Sequence, residues 1–302
     1  MQCRNEKVNL HDEVRKHLML TPLKWRLRPW LLSADSRDAR VADALGLLAE
    51  RSSNPLTAKP RKFWSQADED GILEGILERI GHLDSGVFLE LGVGNGSENN
   101  TLALLARGWK GGWLGGEKLC FQPQAGGRLQ FRRSWLTLEN VIDESRSVLQ
   151  PHSFADCDVV SVDLDGNDFH IVNRLLEAGL RPKVWVAEYN SAFPCGAHWT
   201  MPYDAAHKWS RDDYYGASFS SFSDLFRSSG YLPVACSAQG ANLFAVRDDY
   251  RAEFAEVPKD DRDLFQPGLY FSLPKWGHRP STRTLQSLTA PNRHHTRSSN
   301  KT

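Results

Sequence analysis

Apolar positions in this chain switch repeatedly between short runs and helical spacing, and the switches define most of its elements. Ile72, Leu73, Ile76, Leu77 and Ile80 recur at intervals of three and four, which predicts an amphipathic helix ending at Gly81. Glu69 and Asp70 fall in its first turn, where acids complement the helix dipole. Phe88-Leu89-Glu90-Leu91 reads as a strand, and Leu102-Ala103-Leu104-Leu105-Ala106-Arg107 as a helix that stops at Gly108. Trp109 to Glu117 predicts a second short strand, and Ser134-Trp135-Leu136-Thr137-Leu138 a third. The run Asp158-Val159-Val160-Ser161-Val162 is apolar almost throughout, as in a strand buried on both faces of a parallel sheet. Phe169, Val172, Leu175 and Leu176 follow at helical spacing with Asp168 as the expected N-cap, and Val184-Trp185-Val186-Ala187 forms a fifth strand. Another helix carries Phe219, Phe222, Leu225 and Phe226, after which two strands, Tyr231–Cys236 and Asn242–Arg247, turn at Gly240. Strands that alternate with helices and end in a hairpin predict an α/β fold: a doubly wound, mostly parallel seven-stranded sheet with a terminal antiparallel hairpin.

These elements define a domain over residues 63–250. Ahead of it, residues 1–62 read as a helical accessory region, with Val41, Leu45 and Leu48 on one helix face. Trp25 and Trp30 lie among Lys24, Arg26 and Arg28, a mixture read as a cap packed on the core, with weak peripheral membrane contact as the other reading. Residues 251–279 form a C-terminal extension. Residues 280–302 are expected to be a disordered basic tail, because no acid follows Asp263 while Arg283, Arg293, Arg297 and Lys301 accumulate among Ser, Thr, Pro and Asn.

Charge narrows the possible partners. Lys and Arg number 37 against 37 Asp and Glu, so nothing global draws the chain to nucleic acid or to an anionic membrane. No stretch approaches the roughly 20 apolar residues of a membrane span. Five cysteines lie singly, without a C-x-x-C pair, and read as reduced thiols of a cytoplasmic protein.

Candidate chemistry begins where the first strand meets its helix, at Gly92-Val93-Gly94-Asn95-Gly96. Glycines tolerate positive φ and let a ligand approach the backbone more closely than any Cβ allows. The N–H groups at the helix start favour an anionic group, whereas Glu90 suits a cationic amine or sulfonium, so the matching ligand is zwitterionic. The dinucleotide pattern G-x-G-x-x-G fails here, since its third glycine falls on Ser97 or Asn99. Glu117 ends the second strand about 20 residues past the turn, where an acid hydrogen-bonds ribose hydroxyls. Asn140 reads either as a contact to a base or as the N-cap of the next helix.

The fourth and fifth strands deliver further oxygen groups to the same edge. Asp163 and Asp165 lie two apart and point to one side, and Glu188 and Asn190 repeat the arrangement. Like charges this close need a shared proton or a cation between them. An all-oxygen set suits Mg²⁺, and the other reading is that these groups bind substrate hydroxyls or the zwitterionic ligand directly. From Ser191 to Tyr215 the chain is irregular and rich in aromatics, as in a lid or binding loop. His198 and His207 within it are candidate general bases.

The acid and alternating glycines from Glu90 to Gly96 resemble motif I of the class I S-adenosyl-L-methionine (SAM)-dependent methyltransferases, a Rossmann-like family. Ser65-Gln66 with Glu69-Asp70, Asn99-Asn100-Thr101, Gly108-Trp109 with Gly111, Asp163 through Asp168, and Glu188-Tyr189-Asn190 resemble, more narrowly, the FkbM-like O-methyltransferases found with sugar, polyketide and surface-polysaccharide pathways. The likeness spans about residues 63 to 247. It implies SAM held by Glu90, Gly92, Gly94, Gly96 and Asn99, with Glu117 and Asn140 beyond them. It is also similar to metal-dependent O-methyltransferases, whose acids end the fourth and fifth strands, as Asp163 and Glu188 with Asn190 do here. The implied reaction is O-methylation of a sugar, glycan or other small hydroxylated acceptor. In it Asp163, Asp165, Glu188 and Asn190 hold Mg²⁺ or the acceptor, and His198 or His207 takes the proton. Gly115-Gly116 before Glu117 and the first 62 residues depart from the pattern. A SAM-binding partner without catalysis is a second reading. A nucleic-acid methyltransferase ranks below it, because the [D/N]-P-P-[Y/F] stretch expected after the fourth strand is replaced by Asp163-Leu164-Asp165-Gly166.

Overall fold

The computed structural model describes residues 46, 49–50, 52–58, 60–268 and 278–289. Val41, Leu45, Leu48, the Trp25 and Trp30 stretch and the tail beyond residue 289 lie outside the described residues. Seven strands form one sheet: β1 (Val87–Leu91), β2 (Lys110–Gly115), β3 (Leu129–Arg133), β4 (Val159–Val162), β5 (Val184–Glu188), β6 (Tyr231–Cys236) and β7 (Asn242–Arg247). Their spatial order is β3-β2-β1-β4-β5-β7-β6. The first five run parallel, and β7 lies antiparallel between β5 and β6. Helices α1 (Glu69–Arg79), α2 (Leu102–Ala106), α3 (Val141–Leu149), α4 (Asp168–Glu177) and α5 (Phe219–Ser228) accompany the strands. A one-turn α6 (Asp261–Leu264) and α7 (Thr282–Thr289) follow. This is the doubly wound α/β fold with a terminal antiparallel hairpin that the alternation predicts.

Burial explains the apolar runs. Every residue of β1 and β4 is buried, and β5 is buried up to Ala187. The aromatic face of α5 closes one side, with Phe222 stacked on Phe226 at 6.0 Å and Trp185 of β5 6.1 Å from Phe226. The strand order reverses between β1 and β4, which opens a crevice outside their carboxyl ends. Register decides what lines that crevice. Leu91 pairs with Val162 and Val162 with Ala187, so the next residues, Asp163 and Glu188, emerge side by side.

Several local expectations need correction. The third strand lies at Leu129–Arg133, ahead of the predicted 134–138. It is an edge strand that carries Arg132 and Arg133 outward, and charge on an edge masks strand character. Asp168 is the first residue of α4 and does not cap it: its carboxylate turns back to accept the backbone N–H groups of Leu164, at 2.5 Å, and Gly166, at 2.9 Å. The acids at the start of α1 do more than complement a dipole. Asp68, Glu69 and Asp70 are buried, and Asp70 accepts three backbone N–H bonds from Phe63, Trp64 and Ser65. Residues 282–289 of the expected disordered tail are helical, because α7 is fastened to the 199–215 loop: Trp199 donates to Ser287, and Ser281 and Thr284 donate to Asp213.

Candidate active site at the carboxyl edge of the sheet

The turn after β1 divides labour among its glycines, all three at positive φ. A Cβ on Gly92 would stand 1.5 Å from the carbonyl oxygen of Asp163, so this position lets the β1 turn pass against the β4 turn. A Cβ on Gly94 would meet nothing within 4 Å, so the backbone there faces open space. Gly96 is closed in by Leu119 and Phe121. Glu90, expected to meet a cationic group, spends both oxygens on the turn: one accepts Asn100 N–H at 2.9 Å, the other Thr101 N–H at 3.2 Å and its hydroxyl at 2.5 Å. Burial raises its pKa above the usual carboxylate value, and these bonds brace the start of α2. Asn99 is buried beside it, donates to the Val93 carbonyl and leaves its own side-chain oxygen without a partner.

Glu117 is exposed just past the end of β2. Two large exposed aromatics stand near this edge, and pattern reading assigned neither of them a role there. Phe121 approaches Gly96, and the ring of Trp135 lies 3.3 Å from where a Cβ on Gly116 would stand. Trp135 is fixed by donation to the Ala205 carbonyl at 2.8 Å. Reading Trp135 as strand interior hid it, and an aromatic just after an edge strand was the available signal. Asn140, read as a base contact or as the N-cap of the next helix, stands at the N-cap position of α3, but its side chain accepts Thr137 N–H and donates to the Trp135 carbonyl, so it closes its own loop.

Asp163, Asp165 and Glu188 offer ligand oxygens that all lie within 4.8 Å of one another. Asp165 sits at φ +53°, a left-handed conformation that an acid side chain tolerates and that recurs at functional turns. Burial and then the charges of Asp165 and Asp168 push the Asp163 carboxyl well above the usual range, and burial and then the charge of Asp163 do the same to Glu188. Carboxyls this close in a site of low polarity need a shared proton or a cation between them. Asp165 is pushed up to about 6 by burial and then by Asp168 and Glu117. One oxygen of Glu188 is buried without a partner. An all-oxygen set with an unsatisfied buried atom fits a hard divalent cation.

Asn190 does not join them. Its amide nitrogen donates to the carbonyls of Asp213 and Tyr215, both at 2.9 Å, and its oxygen accepts Ala192 N–H, so it anchors the loop. His198 also lies apart: it is exposed and meets Asp224 of α5 at 2.9 Å. His207 is buried in the site. Its ring occupies the space that a Cβ on Gly166 would fill, against the acid turn. Its Nε2 is buried without a partner, which leaves that ring nitrogen available. Burial and then the Arg283 charge hold the imidazole below its usual pKa, and it is neutral at pH 7. Asn167 staples the His207 loop to the acid turn, with Nδ2 to the Asp204 carbonyl at 2.8 Å and Asp204 N–H to Oδ1 at 3.2 Å.

Neither a protein-family profile nor a curated protein matches the chain. Among solved structures it is similar to the METTL16 MTase domain, at 13% identity and TM-score 0.39 over 72% of this chain and 81% of that one. It is similar to an O-methyltransferase family protein from Burkholderia thailandensis, at 14% identity and TM-score 0.34 over 78% and 67%. The SAH-bound form of CalO1, a methyltransferase in calicheamicin biosynthesis, gives 14% identity and TM-score 0.33 over 68% of each chain. Likenesses this slight speak for neither a substrate nor a reaction.

Proposed function

We propose that this chain is a SAM-dependent O-methyltransferase acting on a small hydroxylated acceptor such as a sugar. The observation that carries the reading is the convergence, at one strand edge, of the Gly94 turn facing open space, the Asp163, Asp165 and Glu188 carboxyls and the unpartnered Nε2 of His207. The Gly94 turn would take the amino-acid end of SAM, Glu117 the ribose hydroxyls, and the faces of Phe121 and Trp135 the adenine. SAM when bound supplies an electrophilic methyl group, whose transfer to a hydroxyl oxygen breaks the carbon–sulfur bond in line and releases S-adenosylhomocysteine. Asp163, Asp165 and Glu188 would hold Mg²⁺, which supplies Lewis acidity toward the acceptor hydroxyl. His207 receives the hydroxyl proton on Nε2. The rigid edge contributes most, by holding donor and acceptor in register. A reducing cytoplasmic setting accords with Cys120, Cys157, Cys195 and Cys236, all free. No helix among the described residues is long and apolar enough to cross a membrane.

Calorimetry with SAM, in Mg²⁺ and then in chelator, tests the reading directly beside a Gly94→Leu variant. Micromolar binding by the intact chain and about a hundredfold loss in the variant are expected, since a side chain there fills the ligand's approach. Absence of SAM binding to the intact chain ends the enzyme reading.

A further inference from the structure

The C-terminal segment brings a free cation to the acceptor side of this edge. Asp213 fastens it three ways: its backbone N–H donates to the Arg279 carbonyl at 3.1 Å, and its carboxylate accepts Ser281 N–H and the Thr284 hydroxyl, both at 2.7 Å. Trp199 adds a bond to Ser287 at 2.8 Å, so α7 is fixed along its length. The first turn of α7 carries Arg283, whose guanidinium carbon stands 4.2 Å from the centre of the Tyr214 ring. The Tyr214 ring in turn lies 6.4 Å from that of His207. Arg283 is exposed, and no described ion pair includes it. Asp213, the acid that anchors this segment, is already occupied by the helix start.

A guanidinium stacked on an aromatic ring keeps its N–H edge in plane and pointing outward, a fork that matches carboxylate or phosphate oxygens. The stacking and the anchored helix fix that fork before any ligand arrives, which removes part of the ordering cost of binding. The neighbouring carboxyls would repel an anionic acceptor, so a fixed cation one ring beyond His207 offsets that repulsion where it matters. We propose that Arg283, held on Tyr214, receives an oxyanion of the acceptor, so that the substrate is a hydroxylated small molecule carrying a phosphate or carboxylate group. The substrate assignment rests on the methyl-transfer reading; the oxyanion site does not.

The test titrates inorganic phosphate, and separately acetate, into the full chain by calorimetry. Intact chain, Arg283→Gln and Arg283→Lys are compared, with thermal melting to confirm that each is folded. Phosphate binding is expected in the intact chain, weaker by about tenfold in Arg283→Gln and by less in Arg283→Lys, which keeps the charge but loses the fork. Tighter binding of phosphate than of acetate assigns a phosphorylated acceptor, and the reverse order a carboxylated one. Equal anion affinity in the intact chain and a folded Arg283→Gln, or no binding of either anion, overturns the proposal. SAM titrated into the same samples separates the two claims: loss of SAM binding in the intact chain removes the methyl-transfer reading and leaves the anion result standing.

Discussion

Two groups of acids sit in this domain, one buried and one opening to the surface, and they differ in what their oxygens face. At the start of α1, Asp70 receives three successive backbone N–H groups at 2.7 to 2.9 Å, Glu69 receives Ala67 N–H, and Asp68 receives Ala238 N–H across to the β6–β7 hairpin. At the carboxyl edge, Asp163 and Glu188 face each other and Asp165, with one Glu188 oxygen unmatched. Titration does not distinguish the groups: burial lifts Asp68 to about 7 and Asp165 to about 6. One oxygen each of Asp68 and Asp70 also lacks a partner, but the other oxygen is anchored to backbone. Acids that hold the main chain in place are architecture, whereas acids that converge on one another leave room for a ligand.

The largest test of this contrast is Asp163→Ala, expected to lower methyl transfer by at least about a thousandfold while SAM affinity changes only a few-fold. A collapse of SAM binding would instead move Asp163 to the cofactor side. His207→Gln should lower kcat by about a hundredfold, with the loss concentrated above neutral pH, as expected on removing a general base. At the other group, Asp70→Ala should cost about 3 kcal/mol of stability, read as a fall in Tm, through loss of three bonds to a charged acceptor. An unchanged Tm would place Asp70 among the ligand-facing acids.

Stability should also depend on pH in an unusual sense. Asp68 and Asp165 have folded pKa values raised above the unfolded 3.8, so between about pH 4 and 7 the folded chain binds more protons than the unfolded one. Stability therefore falls as pH rises through that window. Melting in chelator should give a higher Tm at pH 5 than at pH 8, and Asp165→Asn should flatten the difference. The smallest effect is expected of His198→Ala, within about 0.5 kcal/mol in stability and without change in turnover, because its pair with Asp224 is exposed.

Sequence patterns made the central strands legible, because β1, β4 and β5 are buried on both faces and their apolar runs carry that fact directly. The glycine turn and the acids ending β4 and β5 were legible for the same reason: each directly follows a strand whose end the pattern marks. Partner choice was not. Nothing in the chain order says that Glu90 will fold under Asn100 and Thr101, or that Asn190 will be spent on Asp213 and Tyr215. The helix at 282–289 was missed because its order comes from Asp213 and Trp199, some 70 or more residues earlier, against a composition that reads as solvated.

At Gly92 the β1 and β4 turns are in such close apposition that a single methyl group could not be inserted between them. Two loops from opposite halves of the sheet therefore cannot close further on one another. Under the proposed function, the minimum spacing between a donor at Gly94 and an acceptor at Asp163 would be set by this contact and by the Asp163 N–H bond to the Leu91 carbonyl, at 3.0 Å, when the chain folds.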